Sequence, residues 1–189
     1  MLAAASFPLM NSQEYHLCPD YAEQRWYAAY TCANHEKRVA DQLVERHVEH
    51  FLPLYHSVRR WSDRRVQIDL PLFPGYVFAR LALRNRLRVL QIPSVVRLVG
   101  FNGLPTALPD EEMEILRSGL SQRLRVEPHP YLNLIAGCRV RIKSGSLQGL
   151  EGILLRRKNN LRVVLSVAQI QRSIVVDVDS TDLEEILKA

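Results

Sequence analysis

The sequence predicts an α+β protein of two unlike parts: an α/β sandwich, in which helices flank an antiparallel sheet, followed by a small all-β barrel. Three observations carry that reading. A stretch punctuated by prolines and a glycine, Pro71-Leu72-Phe73-Pro74-Gly75-Tyr76-Val77-Phe78, leads into a central strand. Helical and strand-like periods alternate in the order β-α-β-β-β-α-β-α as far as about Gln122. Beyond about Gly137 the helical period is gone and only short alternating strands remain. The expected organisation is a tail over residues 1–24, a first domain over 25–122, a linker over 123–136 and a second domain over 137–189.

The central stretch sets the frame. Pro71 and Pro74 fix φ and donate no N–H, so no strand runs undisturbed through them. Gly75 permits a sharp re-entry, and Tyr76-Val77-Phe78-Ala79 is rich in β-formers. Period 2 puts Tyr76 and Phe78 on one face, Val77 and Ala79 on the other. Such a sheet is covered on both sides, one cover being the chain's own helices. The aromatic face is then either core or a surface for a partner, and core is the commoner destination of such residues.

Taken in order, the chain first offers Arg25 to Thr31 as a strand, with Trp26, Ala28 and Tyr30 on one face. Asn34 is the expected N-cap of a helix with Glu36 in its first turn. Val39, Leu43 and His47 beside Ala40, Val44 and Val48 make its apolar stripe. Phe51-Leu52-Pro53-Leu54 reads as a short interrupted strand. His56 to Trp61 and Arg65 to Leu70 read as hairpin arms turning at Ser62-Asp63-Arg64. Arg59, Arg60, Arg64 and Arg65 concentrate positive charge at the tip, either a binding element or a solvated loop. Leu83, Leu87 and Leu90 mark a short helix ended by Pro93. Val95 to Phe101 is a strand and Asn102-Gly103 a turn. Pro109-Asp110-Glu111-Glu112 opens a helix with Met113, Leu116 and Leu120 on one face.

From Arg123 to Ala136 the apolar period disappears and Pro128-His129-Pro130 stiffens the chain, the signature of a linker. In the strands that follow, Cys138, Val140 and Ile142 alternate with Arg139, Arg141 and Lys143, which project outward. Leu161, Val163, Leu165 and Val167 alternate, as do Ile174, Val176 and Val178. Several short strands in so few residues form a barrel. The outward cations, with Arg156, Arg157, Lys158, Arg162 and Arg172, suit either an RNA- or ribosome-facing surface or a solvated face.

Composition narrows the chemistry. The chain has 189 residues, 47% of them hydrophobic, and a net charge of +5, a basic balance that favours a polyanionic partner. Cys18, Cys32 and Cys138 are odd in number and far apart, which gives neither a disulfide framework nor a metal pair and suits the cytoplasm. No apolar run reaches the length of a membrane span, and Met1 to Ser6 lacks the basic start of a signal peptide. Gly145-Ser146-Leu147-Gln148-Gly149 has its serine at the wrong place for a nucleophile elbow. His47 and His50 lack further ligands at metal spacing. No catalytic residue, cofactor or metal is expected.

The motifs add up to a family resemblance. Gly137 to Val163, with its glycines at each turn of a strand-loop-strand unit, resembles a KOW motif, which implies an SH3-like barrel. Trp26-Tyr27, Glu36-Lys37-Arg38, the Pro71–Phe78 stretch, Val95-Val96-Arg97-Leu98-Val99-Gly100 and Leu108-Pro109-Asp110-Glu111-Glu112 fall in the order of the NusG N-terminal (NGN) domain. The resemblance implies a non-catalytic transcription elongation or antitermination factor whose first domain sits on the clamp helices of the RNA polymerase largest subunit. There it bridges to a loop of the second-largest subunit and suppresses pausing.

By the same resemblance the clamp-binding positions fall on Tyr30, Tyr76, Phe78 and Phe101, and the loop-contacting segment on Asn85, Arg86, Leu87 and Arg88. The hydroxyl-rich run of the specialised member RfaH is missing from that segment. Specialised members also read non-template DNA with the first helix and the loop before it. Here that face carries Asn34, His35, Lys37, Arg38, Gln42 and Arg46, with Gln42 where RfaH has a histidine. Pro128-His129-Pro130-Tyr131, Gly149 to Leu154 and Gln171-Arg172-Ser173 are similar to antiterminators of the UpxY type, associated with polysaccharide gene clusters. The second domain would recruit a small-subunit ribosomal protein or a termination factor. The alternative is a ribosome-associated RNA-binding KOW protein, which has no need of the aromatic face upstream.

Overall fold

The computed structural model describes residues 21–60, 65–120, 126–129, 138–157 and 160–186. Strand β1 (Arg25–Thr31) lies inside a four-stranded antiparallel sheet of order β2-β5-β1-β6, where β2 is Glu49–Phe51, β5 Tyr76–Leu81 and β6 Val95–Leu98. Its register with β5 sets Ala28 opposite Phe78, Ala29 opposite Val77 and Tyr30 opposite Tyr76, so like faces of the two strands coincide.

One face of this sheet is closed by the domain's own helices. Helix α1 (Glu36–Glu45) lays Val39, Ala40 and Leu43 against it. A 3₁₀ turn, Leu83–Asn85, and the single-turn α2 (Leu87–Leu90) bring in Leu83, Val89 and Ile92. With Tyr27, Ala29, Val77, Ala79 and Leu81 they make one buried apolar cluster. Two expectations shift here. The N-cap position is His35 rather than Asn34, because Asn34 sits in a left-handed conformation (φ 62°) one residue too early. The stripe on α1 is narrower than the sequence suggests: Val44 is exposed, and His47, also left-handed (φ 54°), lies past the helix end. In α2 it is Val89, not Leu87, that turns inward.

Strands β3 (Leu54–Arg60) and β4 (Arg65–Pro71) form the expected hairpin as a separate two-stranded sheet, and its tip, 61–64, lies outside the described residues. The strand predicted over Val95 to Phe101 breaks into β6 and a small hairpin of β7 (Gly100–Phe101) and β8 (Leu104–Pro105). Asn102 (φ 50°) and Gly103 (φ 80°) make the left-handed pair of a tight turn there. A Cβ on Gly100 would stand 1.8 Å from the Leu104 carbonyl oxygen, which is why the bend holds a glycine. Helix α3 (Asp110–Leu120) follows, with Met113 and Leu116 buried on the sheet's other face.

The second part is a six-stranded antiparallel sheet of order β14-β10-β11-β12-β13-β9. It is built from β10 (Arg139–Ile142), β11 (Glu151–Arg157), β12 (Asn160–Val167), β13 (Arg172–Val178), β14 (Leu183–Glu185) and β9 (Val126–His129). Strand β9 falls within the predicted linker and pairs with β13 at the sheet edge, where Pro128 costs no ladder bond in a central strand. The remainder of that linker, 123–125 and 130–136, is outside the described residues, as are residues 1–20 of the predicted tail. Tyr21, in the last part of that tail, packs on the helix-side cluster.

The two parts share apolar core. Trp26, Phe78, Met113 and Leu116 of the first belong to the same buried cluster as Val140, Ile142, Leu147, Leu150, Val163, Leu165 and Ile174 of the second. The contact is close at α3: a Cβ on Gly119 would stand 2.2 Å from Leu147 Cδ2 and 2.9 Å from the Ser146 carbonyl oxygen.

Candidate interaction surfaces

The turn before β5 builds the aromatic surface. Gly75 (φ 85°) accepts a hydrogen bond at its carbonyl from Thr31 N–H at 2.8 Å, and its own N–H donates to Glu36 Oε1 at 2.7 Å. Glu36 is buried at the start of α1, so its carboxylate ties that helix to the turn. A side chain at Gly75 would meet the Tyr30 ring at 3.4 Å. Tyr30 and Tyr76 are thereby set side by side, ring centroids 5.5 Å apart and tilted by 49°. Tyr30 is 38% exposed and Tyr76 half-buried. The Arg97 guanidinium lies over Tyr30 at 5.8 Å and that of Arg172, from the second sheet, over Tyr76 at 5.9 Å.

The other two predicted aromatics separate from this pair. Phe78 is fully buried, edge-on to Phe73 at 5.6 Å and stacked with Phe51 at 6.2 Å, so it is core and offers no surface. Trp26 and Ala28 of β1 share its buried cluster. Phe101 is 76% exposed on the β7–β8 hairpin and makes no ring pair with the tyrosines among the described residues.

The basic face of α1 also divides. Asn34, Lys37 and Arg38 are exposed and point away from the sheet. His35 Nδ1 shares a hydrogen bond of 2.7 Å with Ser94 Oγ, and Gln42 is half-buried. Arg46 donates to the carbonyl oxygens of Arg88 at 3.2 Å and Gln91 at 3.4 Å, bracing α1 against α2. Arg86 donates to Leu83 O at 3.4 Å, while Asn85 and Arg88 stand exposed beside it. Arg59, Arg60 and Arg65 close the β3–β4 ladder, where the described structure fixes only their backbone, and Arg64 lies outside the described residues.

Three of the second sheet's cations are paired with carboxylates. Glu151 accepts from Arg139 at 3.2 Å and from Arg141 at 2.6 Å, and Arg162 pairs with Asp177 at 2.8 Å. Lys143 stays exposed, and the side chains of Arg156, Arg157 and Lys158 lie outside the described residues. Between α3 and this sheet runs a crevice of about 450 Å³ lined by Glu111, Glu112, Ile115, Arg139, Glu151 and Leu165. Partial desolvation there, with Glu151 across the gap, raises the Glu112 pKa above the ordinary carboxylate range. Sequence reasoning missed Arg97 and Arg172 as ring partners. Arg97 was legible only as an alternate position in a strand, and the Arg172 contact joins residues nearly a hundred positions apart, for which one sequence carries no signal.

Among the described residues no group of three or more His, Cys, Asp or Glu could hold a metal, and no helix is long and apolar enough to cross a membrane. The candidate surfaces are aromatic and cationic, those of a protein that acts by binding. Residues 24–117 match the family model described as "Transcription termination factor nusG". The chain is 25% identical over 187 residues to the transcription termination/antitermination protein NusG of Lactococcus lactis, covering 87% of this chain and 94% of that one. It is 27% identical over 176 residues to the NusG of Campylobacter jejuni, covering 86% and 98%. A solved structure titled "Domain interaction in Thermotoga maritima NusG" has the same fold, with a TM-score of 0.59 at 21% identity over 87% of this chain and 98% of the other. The chain belongs to the NusG family of transcription termination and antitermination factors, whose members are transcription factors and not enzymes.

Proposed function

We propose that this chain is an elongation and antitermination factor that docks on the clamp helices of RNA polymerase and suppresses pausing or termination. The observation that carries the reading is the Tyr30–Tyr76 pair, presented on the sheet face opposite α1 and α2. Paired tyrosines offer large, rigid contact area with little conformational entropy to lose, the usual make-up of a binding hot spot. Phe101, exposed on its hairpin, offers a separate contact, whereas Phe78 supports the pair's face from within. Asn85 and Arg88 are the groups available to the loop of the second-largest subunit.

Non-template DNA would meet Asn34, Lys37 and Arg38, the exposed part of the α1 face. Arg46 is removed from that set by its contacts to α2. The second domain would recruit a ribosomal protein or termination factor, and service to particular operons, such as polysaccharide clusters, is the subgroup reading. The rival, an RNA-binding ribosomal KOW protein, is disfavoured because it has no need of the Tyr30–Tyr76 pair.

The test is transcription in vitro with purified polymerase, scoring pause lifetimes and terminator read-through. Shorter pauses or more read-through with the protein present are expected, and Tyr30→Ala should weaken the effect by about tenfold or more in concentration. Arg38→Ala should lower the salt dependence of DNA contact by about one phosphate's worth, whereas Arg46→Ala should not. No effect on elongation, with tight binding to ribosomal subunits instead, would overturn the proposal.

A further inference from the structure

We infer that the tyrosine pair recognises its partner through a cation: an arginine or lysine on the docking segment, seated over Tyr76 where Arg172 sits here. The inference rests on the polymerase-docking reading and specifies the chemistry of that contact. Both rings carry a guanidinium in this structure, Arg97 over Tyr30 and Arg172 over Tyr76. The two cations differ in origin. Arg97 stands on β6, hydrogen-bonded beside β1, and stays with the first domain whatever docks. Arg172 opens β13 of the second sheet and leaves Tyr76 whenever the second domain does.

Its neighbours on the second sheet show what is unusual about it. Arg139, Arg141 and Arg162 are each held by a carboxylate, whereas the contact the structure gives Arg172 is the ring. The negative face of an aromatic ring attracts a cation most when both are drawn out of water. A partner that displaces the second domain therefore uncovers a ring face already shaped for a guanidinium, and an aliphatic side chain there would forgo that attraction.

The experiment uses the full chain and purified core RNA polymerase. Tyr76→Phe keeps the ring quadrupole and should bind more tightly than a variant without the ring. Tyr76→Leu keeps apolar bulk without it and should bind about fivefold more weakly. Replacing clamp-helix arginines and lysines one at a time by methionine should reveal one whose loss is silent against Tyr76→Leu but costly against the parent, the mark of a coupled pair. Arg172→Gln should tighten binding by about threefold, since it removes the intramolecular occupant, and Arg172→Lys should not. Melting temperatures of all variants check that folding is intact. Equal binding by Tyr76→Phe and Tyr76→Leu, with no coupled cation on the clamp, overturns the inference while leaving docking in place. Unchanged binding by both Tyr30→Ala and Tyr76→Ala would instead overturn the docking reading itself, and this inference with it.

Discussion

The two faces of the first sheet are made from the same strands by alternate residues, yet they are closed in different ways. Tyr27, Ala29, Val77 and Ala79 are sealed by α1 and α2, elements that adjoin them in sequence. Trp26, Ala28 and Phe78 are sealed by α3 and, in the same apolar cluster, by side chains of the second sheet. The first closure is local, made by elements of the same part of the chain. The second joins the two parts, and at its margin Tyr30 is touched by Arg97 of the first part and Tyr76 by Arg172 of the second. The inner part of the second face is as much core as the first, and its rim is where Tyr30 reaches the surface.

Phe78→Ala tests where core ends and should have the largest effect. Removing a fully buried phenyl ring costs about 3–5 kcal/mol. A large drop in melting temperature is expected, with binding lost because the fold is lost. Tyr30→Ala, at the rim, should leave the melting temperature within a few degrees of the parent. A near-normal melting temperature for Phe78→Ala would mean that the ring is not held as the structure shows.

The face assignment of Tyr76, Phe78, Val77 and Ala79 was legible because strand periodicity is strict and needs no knowledge of partners. The hairpin, the Asn102-Gly103 turn and the start of α3 were legible for a similar reason, since local turn and capping chemistry encodes them. Depth was not legible. Tyr76 and Phe78 share a face, but one is at the rim and the other beneath Phe51 and Phe73, and that depends on chain segments remote in sequence. Charge was misleading for the same reason. Arg46, Arg139 and Arg141 read as solvent-facing cations until the carbonyls and carboxylate that hold them are brought up by the fold. Strand β9 was hidden because Pro128 reads as a breaker, and only an edge position beside β13 tolerates it.

Gly119→Leu would break the comparison at the joint. Gly119 lies in α3, where glycine is a poor helix former, so the substitution should not weaken the first domain by propensity. Its new side chain would collide with Leu147 and the Ser146 carbonyl of the second part. Overpacking of this kind costs about 1–3 kcal/mol and falls on the contact between domains. The expected result is a larger radius of gyration in small-angle scattering and faster proteolysis between the domains. The helix-side cluster around Tyr27, Val39 and Val77 should change much less. An unchanged radius with an unchanged cleavage rate would show that α3 and the 145–150 loop do not hold the parts together.

The smallest effect concerns protons in the crevice beside that joint. Glu112 of α3 lines it with Glu111, and facing them from the second sheet are Arg139 and Glu151, with Arg141 bound to Glu151 and Glu184 near Arg141. Burial and Glu151 raise the Glu112 pKa while the domains are in contact, and separation returns it to the ordinary carboxylate value. The contact therefore binds a proton that the separated form releases. Its contribution is fully present below the ordinary carboxylate pKa and is lost as pH rises through the raised one, so mild acid should favour contact and neutral pH should loosen it. Glu112 remains partly exposed, and water screens the effect, so it should be modest. Scattering or inter-domain proteolysis between neutral and mildly acidic pH reads it directly. Glu112→Gln should flatten that dependence and make the neutral form more closed, and Glu112→Lys should close it further by attraction to Glu151. A contact that loosens on mild acidification in the parent, or a pH response unaltered by Glu112→Gln, would show that the two carboxylates do not face each other across a closed joint in solution.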